Sequence, residues 1–567
     1  MAKKIIALAG LVIAGSMACT NYLVTPGASV NGTSMVSYAA DSHTLYGALY
    51  NRQKATYPAG TMMDVYEWDT GHYLGQIPQA TETYNVIGNV NEYGLVIAES
   101  TYGGIADLQK QSKGIIDYGT LIYVTLQRAK TAREAISTMT SLVAKYGYAS
   151  SGESFSIADS KEVWVLELIG KGEYELGAVW VARKVPDGYI TAHANQARIR
   201  KFPLNDPENC IYSSDVISFA KKYGFYPATS PDADFSFADA YAPLTFSGMR
   251  GCDSRAWAFF RRYGDKAEMD KYVDYIRGYN TSNPFPWAIK PLRKLSHVDV
   301  MDAMGDHFED TVLQFDEDVG AGPYNTPYRW RPMTFDVNGR SYTNERSVAT
   351  QQTGWSFVAQ IRPNLPDPLK ALNWFGVDDT ACTVYVPFYA GITKIPQSWA
   401  ENAGADIMKF SFDSAFWVFN LVSQYAYTWW SYVYPEIQEM QRSYQANFSN
   451  EIAAVDLKAA ALINAGKYDE AITLITDYCV STGDAVTKRW LEFFKYIFVR
   501  YLDGDIRVPN PDPKEKFPKV STPGYRQSWY ERIAKETGDK YLIPENMNEA
   551  RNVEPRLRRV MPWNKIY

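Results

Sequence analysis

The feature that most constrains this chain is a cysteine placed where a signal peptidase would cut. Lys3 and Lys4 form a basic n-region, Ile5 to Ala14 is an apolar run, and Ser16 and Ala18 are small residues on either side of Met17. This reads as a secretory signal, and cleavage after Ala18 leaves Cys19 as the first residue of the mature protein. Such a cysteine carries a thiol and a free α-amine on one residue. The amine has an unperturbed pKa of roughly 7.7–8.0 and the thiol about 8.5, so near neutral pH the amine can take the thiol's proton. A nucleophile and its base then share one residue, and the rest of the chain has to present a substrate to it. Two other readings of Cys19 stay open at this point. One is a lipid-modified cysteine, although Ser16 stands where such signals usually carry a Leu-like residue. The other is an ordinary buried cysteine with the cut elsewhere.

The chain has 567 residues, enough for one large domain with a helical annex or for two or three domains. Hydrophobic content of 46% and charged content of 21% mark a globular protein. Beyond the signal, no stretch approaches 18 consecutive apolar residues, so no membrane span is expected. Losing Lys3 and Lys4 takes the formal net charge from −6 to −8, and basic residues form no long run, which argues against nucleic acid as partner. Cys210, Cys252, Cys382 and Cys479 lack C-x-x-C spacing, and the five histidines are scattered. Zinc and other metal chemistry therefore have no support. Disulfides among these four cysteines stay open, as does self-association into a homo-oligomer.

After Thr20 to Val24, turn signals at Pro26-Gly27 and Asn31-Gly32 lead to a second strand, Ser34 to Ala40, that delivers Asp41-Ser42-His43. Val86 to Gly88 and Leu95 to Ala98 read as strands around the turn Asn91-Glu92-Tyr93-Gly94. Asp117 caps a helix, and Thr131-Ala132-Arg133-Glu134 is a capping box for the next. Ser154 to Ala158 with Val163 to Ile169, and Ala178 to Val185 with Tyr189 to Ala192, read as two hairpins. Gly320 to Asn344 is expected to be irregular surface, with late strands at Trp355 to Ile361 and Thr380 to Val386. Strands, then helices, then strands suggest two stacked sheets with helices outside. From about Asp413 the pattern turns helical: Ser414 to Ser431, Pro435 to Phe448, Ile452 to Ala465, Glu470 to Cys479 and Asp484 to Leu502. Beyond Asp505 the Pro- and Asn-rich tail is expected to wrap the surface or to lack fixed order.

A thiolate attacking an amide needs its amine held and its oxyanion stabilised. Asp41, at the end of the strand expected to pair with the Cys19 strand, can hold the amine; it can equally be a turn or capping aspartate. Asn195 follows a strand end and can donate an amide N–H to an oxyanion, or simply sit in a turn. His193 could be a general base, a role the amine already fills. Arg255 could form an ion pair near the site or merely begin a helix.

Taken together, several short motifs resemble the cysteine dipeptidases of peptidase family C69, the dipeptidase A type. They are Ala18-Cys19-Thr20-Asn21-Tyr22, Tyr38-Ala39-Ala40-Asp41-Ser42-His43, Glu99-Ser100-Thr101-Tyr102-Gly103-Gly104, Asp117-Tyr118-Gly119, His193-Ala194-Asn195-Gln196 and Trp374-Phe375-Gly376-Val377-Asp378-Asp379. The resemblance covers most of residues 19 to about 500. It implies an α+β fold, the αββα sandwich of N-terminal nucleophile hydrolases related to choloylglycine hydrolases and penicillin V acylases, with a C-terminal helical annex. The domain plan is a signal at 1–18, the hydrolase domain at 19–400, a helical region at 401–504 and a tail at 505–567. The functional set implied is Cys19, Asp41, Asn195 and Arg255. The acylases carry Arg three residues before the Asp, where this chain has Tyr38, and often Asn where it has Thr101; Thr101 is kept as a candidate oxyanion partner through its backbone N–H. The expected activity is hydrolysis of dipeptides through a thioester, without a cofactor, in the periplasm or outside the cell. The alternatives are an amidase acting on N-acyl amides and a non-enzymatic surface protein lipid-anchored at Cys19.

Overall fold

In the computed structural model, residues 19–543 are described. The signal-sequence reading of 1–18 and the last part of the tail, 544–567, lie outside them. The strand at Thr20–Val24 (β1) pairs antiparallel with Ser34–Asp41 (β2), as the turn signals predict. Both are buried at every position. Two stacked layers explain this, since each face of a middle sheet is covered.

The first sheet has seven strands, in the order Ala288–Ile289, Ile190–His193, β1, β2, Thr353–Ile361, Ala371–Val377 and Val386–Tyr389. The second has eight: Cys210–Tyr212, Ala178–Lys184, Val163–Gly170, Gly152–Ala158, Val96–Gly103, Val90–Asn91, Val86–Ile87 and Asn51–Arg52. β1 and β2 pack on Val96–Gly103, which joins the sheets face to face. The helices Tyr118–Leu126 (α1) and Ala132–Tyr146 (α2) cover the outer face of the second sheet. Their apolar residues Leu121, Ile136, Met139 and Val143 form a separate core with Phe155, Trp164 and Leu166. The capping box of α2 is present as the sequence predicts, with Thr131 and Glu134 bonding each other's backbone N–H. On the outer face of the first sheet lie Ser254–Tyr263 and His297–Met304. The Tyr22 ring stacks on Phe259 at 4.1 Å.

Four local expectations need correction. Ala178–Lys184 and Ile190–His193 are not a hairpin: they belong to different sheets. The turn between them is bonded to the end of β1 instead, through Gly27 N–H to Asp187 Oδ1 at 2.6 Å and Gly188 N–H to Thr25 Oγ1 at 3.0 Å. The last strands are Ala371–Val377 and Val386–Tyr389, and Thr380 to Tyr385 is the connection between them. The segment expected to be irregular contains an exposed hairpin, Thr334–Val337 with Arg340–Thr343. Its turn is Asn338-Gly339, both at positive φ (51° and 73°), the geometry that suits a two-residue hairpin loop.

The annex is three helices rather than five: Ala415–Ala426, Trp430–Asn464 and Tyr468–Arg500. Ser449-Asn450-Glu451 contains no breaker, so the second helix runs through. Gly483 does not interrupt the third. It is a contact point, where a Cβ would come within 2.4 Å of Pro396 Cγ. Trp490 stacks on Phe419 at 5.0 Å, and Arg362 pairs with Asp456 at 2.5 Å, fastening the annex to the sheets. The tail holds the strands Ile506–Val508 and Lys519–Ser521 and the helix Gln527–Thr537. Arg526 and Arg532 tie it to the backbone of Gly322 and Glu317.

Candidate active site

Cys19 precedes β1 and is fully buried (0% exposed). Its thiol lies 3.4 Å from Glu99 Oε1, to which it donates, and 3.5 Å from Tyr38 Oη. The backbone N–H of Asp41 also donates to the sulfur. Burial pushes the thiol well above its ordinary range; the Glu99 and Asp41 carboxyls push the same way, and the bond to Tyr38 pulls back. In this surrounding the thiol stays protonated until a base takes its proton.

Arg255 is the hub. Burial holds it among backbone carbonyls, and all five of its N–H donors are used. Nη1 donates to Cys19 O and Thr20 Oγ1, each at 2.8 Å. Nη2 donates to Asn195 Oδ1 at 2.8 Å and Ala194 O at 3.3 Å, and Nε to Gly251 O at 2.9 Å. The local cause is a wide π-helical turn, Gly248–Asp253, that feeds the helix carrying Arg255. Such turns recur where a helix must aim a side chain at a site.

Asn195 sits at φ 59°, a left-handed conformation that asparagine tolerates better than most residues. Its orientation is fixed from both sides: Oδ1 accepts from Arg255, and Nδ2 donates to Thr101 O at 2.6 Å. The amide nitrogen therefore faces the strand end that carries Thr101. The Thr101 hydroxyl is committed to Glu153 Oε1 at 2.8 Å.

Asp41 lies on the other face of β2 from Tyr38. By strand alternation it shares the face of Ala39 and Thr20, toward Arg255. Its carboxylate is held by Arg346 Nη2 at 2.6 Å and Thr353 Oγ1 at 2.6 Å. Burial pushes its pKa up, and the Arg346 guanidinium and the Thr353 hydroxyl pull it back. Arg346 reaches this carboxylate from a loop distant in sequence. That loop is braced in turn by the Arg250–Glu345 ion pair.

His193 is not a base. Burial first, and Arg198 second, lower its pKa to about 3. Its ring bridges the sheets, with Nδ1 2.6 Å from Ser100 Oγ and Nε2 2.7 Å from Ser156 Oγ. Ser156 donates its only proton to Asn21 Oδ1 at 3.2 Å, so the neutral ring carries its proton on Nε2 and accepts from Ser100 at Nδ1. Asn195 N–H donates to that same Ser100 Oγ at 3.2 Å. The histidine thereby holds the oxyanion candidate in place.

The sequence did not single out Glu99, Glu153 or Arg346. Glu99 and Glu153 are buried carboxyls (1% exposed each) on adjacent strands, hydrogen-bonded to one another. Their signal was available: each is an acid inside a run that forms a strand. Among the described residues, Val96–Gly103 has a strand partner on one edge only near its start, Val96 with Val90. Tyr38, which bonds Glu99, also lines a cleft partly open to solvent, together with Tyr50, Arg52, Trp68, Tyr118, Tyr123 and Trp355. Gly119 is required on α1, because a Cβ there would come within 2.5 Å of the Trp68 ring. Among the described residues, no group of three or more His, Cys, Asp and Glu side chains is arranged to hold a metal ion. The five cysteines are free thiols.

The family model of peptidase family C69 matches residues 18–443, and the chain belongs to that family. It is a peptide-bond hydrolase. Curated relatives carry names of one kind. A probable dipeptidase of Latilactobacillus sakei is 24% identical over 83% of this chain and 96% of its own length. A probable dipeptidase of Salmonella dublin is 25% identical over 66% of this chain and 82% of its own. Dipeptidase A of Lactobacillus helveticus is 23% identical over 61% of this chain and 64% of its own. Among the described residues, no helix is long and apolar enough to cross a membrane.

Proposed function

We propose that this chain is an exported dipeptidase that uses Cys19 as an N-terminal nucleophile, on the αββα sandwich of N-terminal nucleophile hydrolases. The observation that carries it is the clamp of Arg255 on the Cys19 carbonyl and on Asn195 at once. A structural arginine has no need to tie Cys19 to a left-handed asparagine. The names of the relatives supply the substrate class.

Cleavage after Ala18 frees the Cys19 amine at the end of β1 near Asp41. Asp41, steadied by Arg346 and Thr353, orients the amine, which takes the thiol proton. The thiolate attacks the carbonyl of a dipeptide. The oxyanion receives the Asn195 Nδ2–H, and the backbone N–H of Thr101 is the second candidate donor. The leaving amine departs with the proton now on the Cys19 nitrogen, and water hydrolyses the thioester. A desolvated thiol of raised pKa makes this internal base necessary, because too little thiolate exists without one.

Burial of the sulfur against Tyr38 and Glu99 speaks against a diacylglyceryl group on Cys19. Tyr38 in place of an arginine speaks against the acylase alternative. The test is Cys19→Ala in the mature form. Loss of dipeptide hydrolysis with an unchanged melting transition is expected, and unchanged turnover would overturn the proposal.

A further inference from the structure

A dipeptide differs from an N-acyl amide in carrying a free α-ammonium, and the carbonyl under attack is two bonds from that nitrogen. Standard geometry sets the nitrogen about 2.5 Å from the carbonyl carbon, which itself approaches the sulfur to about 3–3.5 Å. A group that reads the ammonium must therefore stand within a few ångströms of Cys19 Sγ. Glu99 does so, with Oε1 3.4 Å from the sulfur. We propose that Glu99 is the receptor of the substrate's α-ammonium, that Glu153 is its buried partner, and that the first residue's side chain lies in the aromatic cleft beside it. This rests on the dipeptidase reading and adds to it a requirement for a free amino terminus.

Three further observations support the assignment. First, among the described residues and apart from the bond between the two carboxyls, Glu99 Oε2 and Glu153 Oε2 receive no hydrogen bond from an N–H or O–H. Two buried acids so placed have to share a proton, as like charges in contact cannot both ionise. Glu99 accepts from Tyr38 Oη and Cys19 Sγ and so holds the charge, whereas Glu153 accepts from the Thr101 hydroxyl and holds the proton, which leaves one negative charge facing the nucleophile and, among the described residues, no cation bonded to it. An ammonium supplies that counter-charge with no net proton transfer.

Second, Glu99 is held in one position, since Tyr38 Oη donates to its Oε1 at 2.6 Å. Asn21 Nδ2 also donates to its backbone carbonyl at 2.5 Å. Third, the surroundings suit a cation. Tyr118 Oη donates to Asp69 Oδ1 at 2.8 Å, which places a further carboxylate across the cleft floor. Arg52 already stacks over the Tyr123 and Trp68 rings, at 3.8 and 5.9 Å, so the aromatic walls serve as apolar surface for a side chain and leave the ammonium to the carboxyls. Asp41 does not compete for this role, because its carboxylate is on the opposite face of the sheet and already bound by Arg346.

The test compares phenylalanyl-alanine with its N-acetyl derivative in wild type and in Glu99→Gln. Wild type is expected to prefer the free dipeptide in kcat/KM. Glu99→Gln should lower that value on the order of a hundredfold, chiefly through KM, and so narrow the preference for the free dipeptide over the N-acetyl compound. A free-to-acetylated ratio that Glu99→Gln leaves unchanged overturns the proposal. A second measurement needs no change at Glu99: calorimetric binding of both compounds to Cys19→Ala. Tighter binding of the free dipeptide supports the site, and equal affinity overturns it. Absence of hydrolysis of either compound by wild type would count against the dipeptidase reading, and the binding comparison would still decide the ammonium site.

Discussion

Arg346 Nη2 lies 2.6 Å from Asp41 Oδ2, across 305 residues of sequence. The pair joins the end of β2 to a loop that arrives late in the chain, just before Thr353–Ile361. Asp41 is fully buried, so its charge depends on that guanidinium.

Arg346→Ala is accordingly expected to destabilise the protein. Breaking a buried pair by removing one partner costs roughly 3–5 kcal/mol, and the remaining bond from Thr353 sets the lower end. Denaturant unfolding checks this. Arg346→Lys should recover part of the loss, because a lysine keeps the charge but has only a point donor.

Arg255→Lys should act on turnover more than on stability. Lysine offers three donors where the guanidinium uses five, and it cannot reach Cys19 O and Asn195 Oδ1 in one plane. A fall in kcat on the order of a hundredfold is expected from the misplaced nucleophile and oxyanion donor. Steady-state kinetics with a dipeptide measures it. Activity within a few-fold of wild type would leave Arg255 a structural residue.

His193 makes stability depend on pH. Its pKa falls from 6.5 unfolded to about 3 folded, so between these values the unfolded chain binds the extra proton. Stability from this residue is fully present above about 6.5 and is lost as the pH falls toward 3, with a limiting slope of about 1.4 kcal/mol per pH unit. His193→Gln should be less stable at pH 7 because the bonds to Ser100 and Ser156 are disturbed. Its curve should also be flatter below pH 6.5. Urea midpoints across that range test both parts.

The regular part of the fold was legible in the sequence. The β1–β2 hairpin, the capping box at Thr131 and Glu134, and the strand pair around Asp159-Ser160-Lys161-Glu162 follow from turn and cap chemistry that acts within a few residues. Whether a strand joins one sheet or the other was not legible. Pro186-Asp187-Gly188 looks like a hairpin turn, and only its bonds to Gly27 and Thr25, some 160 residues away, send the chain into the other sheet. The same limit applies to the site. Cleavage-site and strand-end reasoning proposed Cys19, Asp41, Asn195 and Arg255, resemblance raised these four and added Thr101, and the structure gathers all five at one end of the sheets. Arg346, Glu99 and Glu153 escaped because their significance lies in contacts made across the fold. The sequence pattern ends that strand at Ala98, just before Glu99, whereas the strand continues to Gly103.

The precursor should be inactive. With Met1 to Ala18 attached, the Cys19 nitrogen is an amide, which cannot accept the thiol proton. Purified full-length precursor is expected to hydrolyse dipeptides at background rate and to gain activity when the segment is removed.

The most direct measurement is mass spectrometry of the mature protein's N-terminal peptide, before and after treatment with a thiol alkylating reagent that abolishes activity. The predicted result is a peptide beginning at an unmodified Cys19 that gains one adduct on that residue, in step with loss of dipeptide hydrolysis. A mature chain beginning elsewhere, a lipid on Cys19, or full inactivation with Cys19 unlabelled would contradict it.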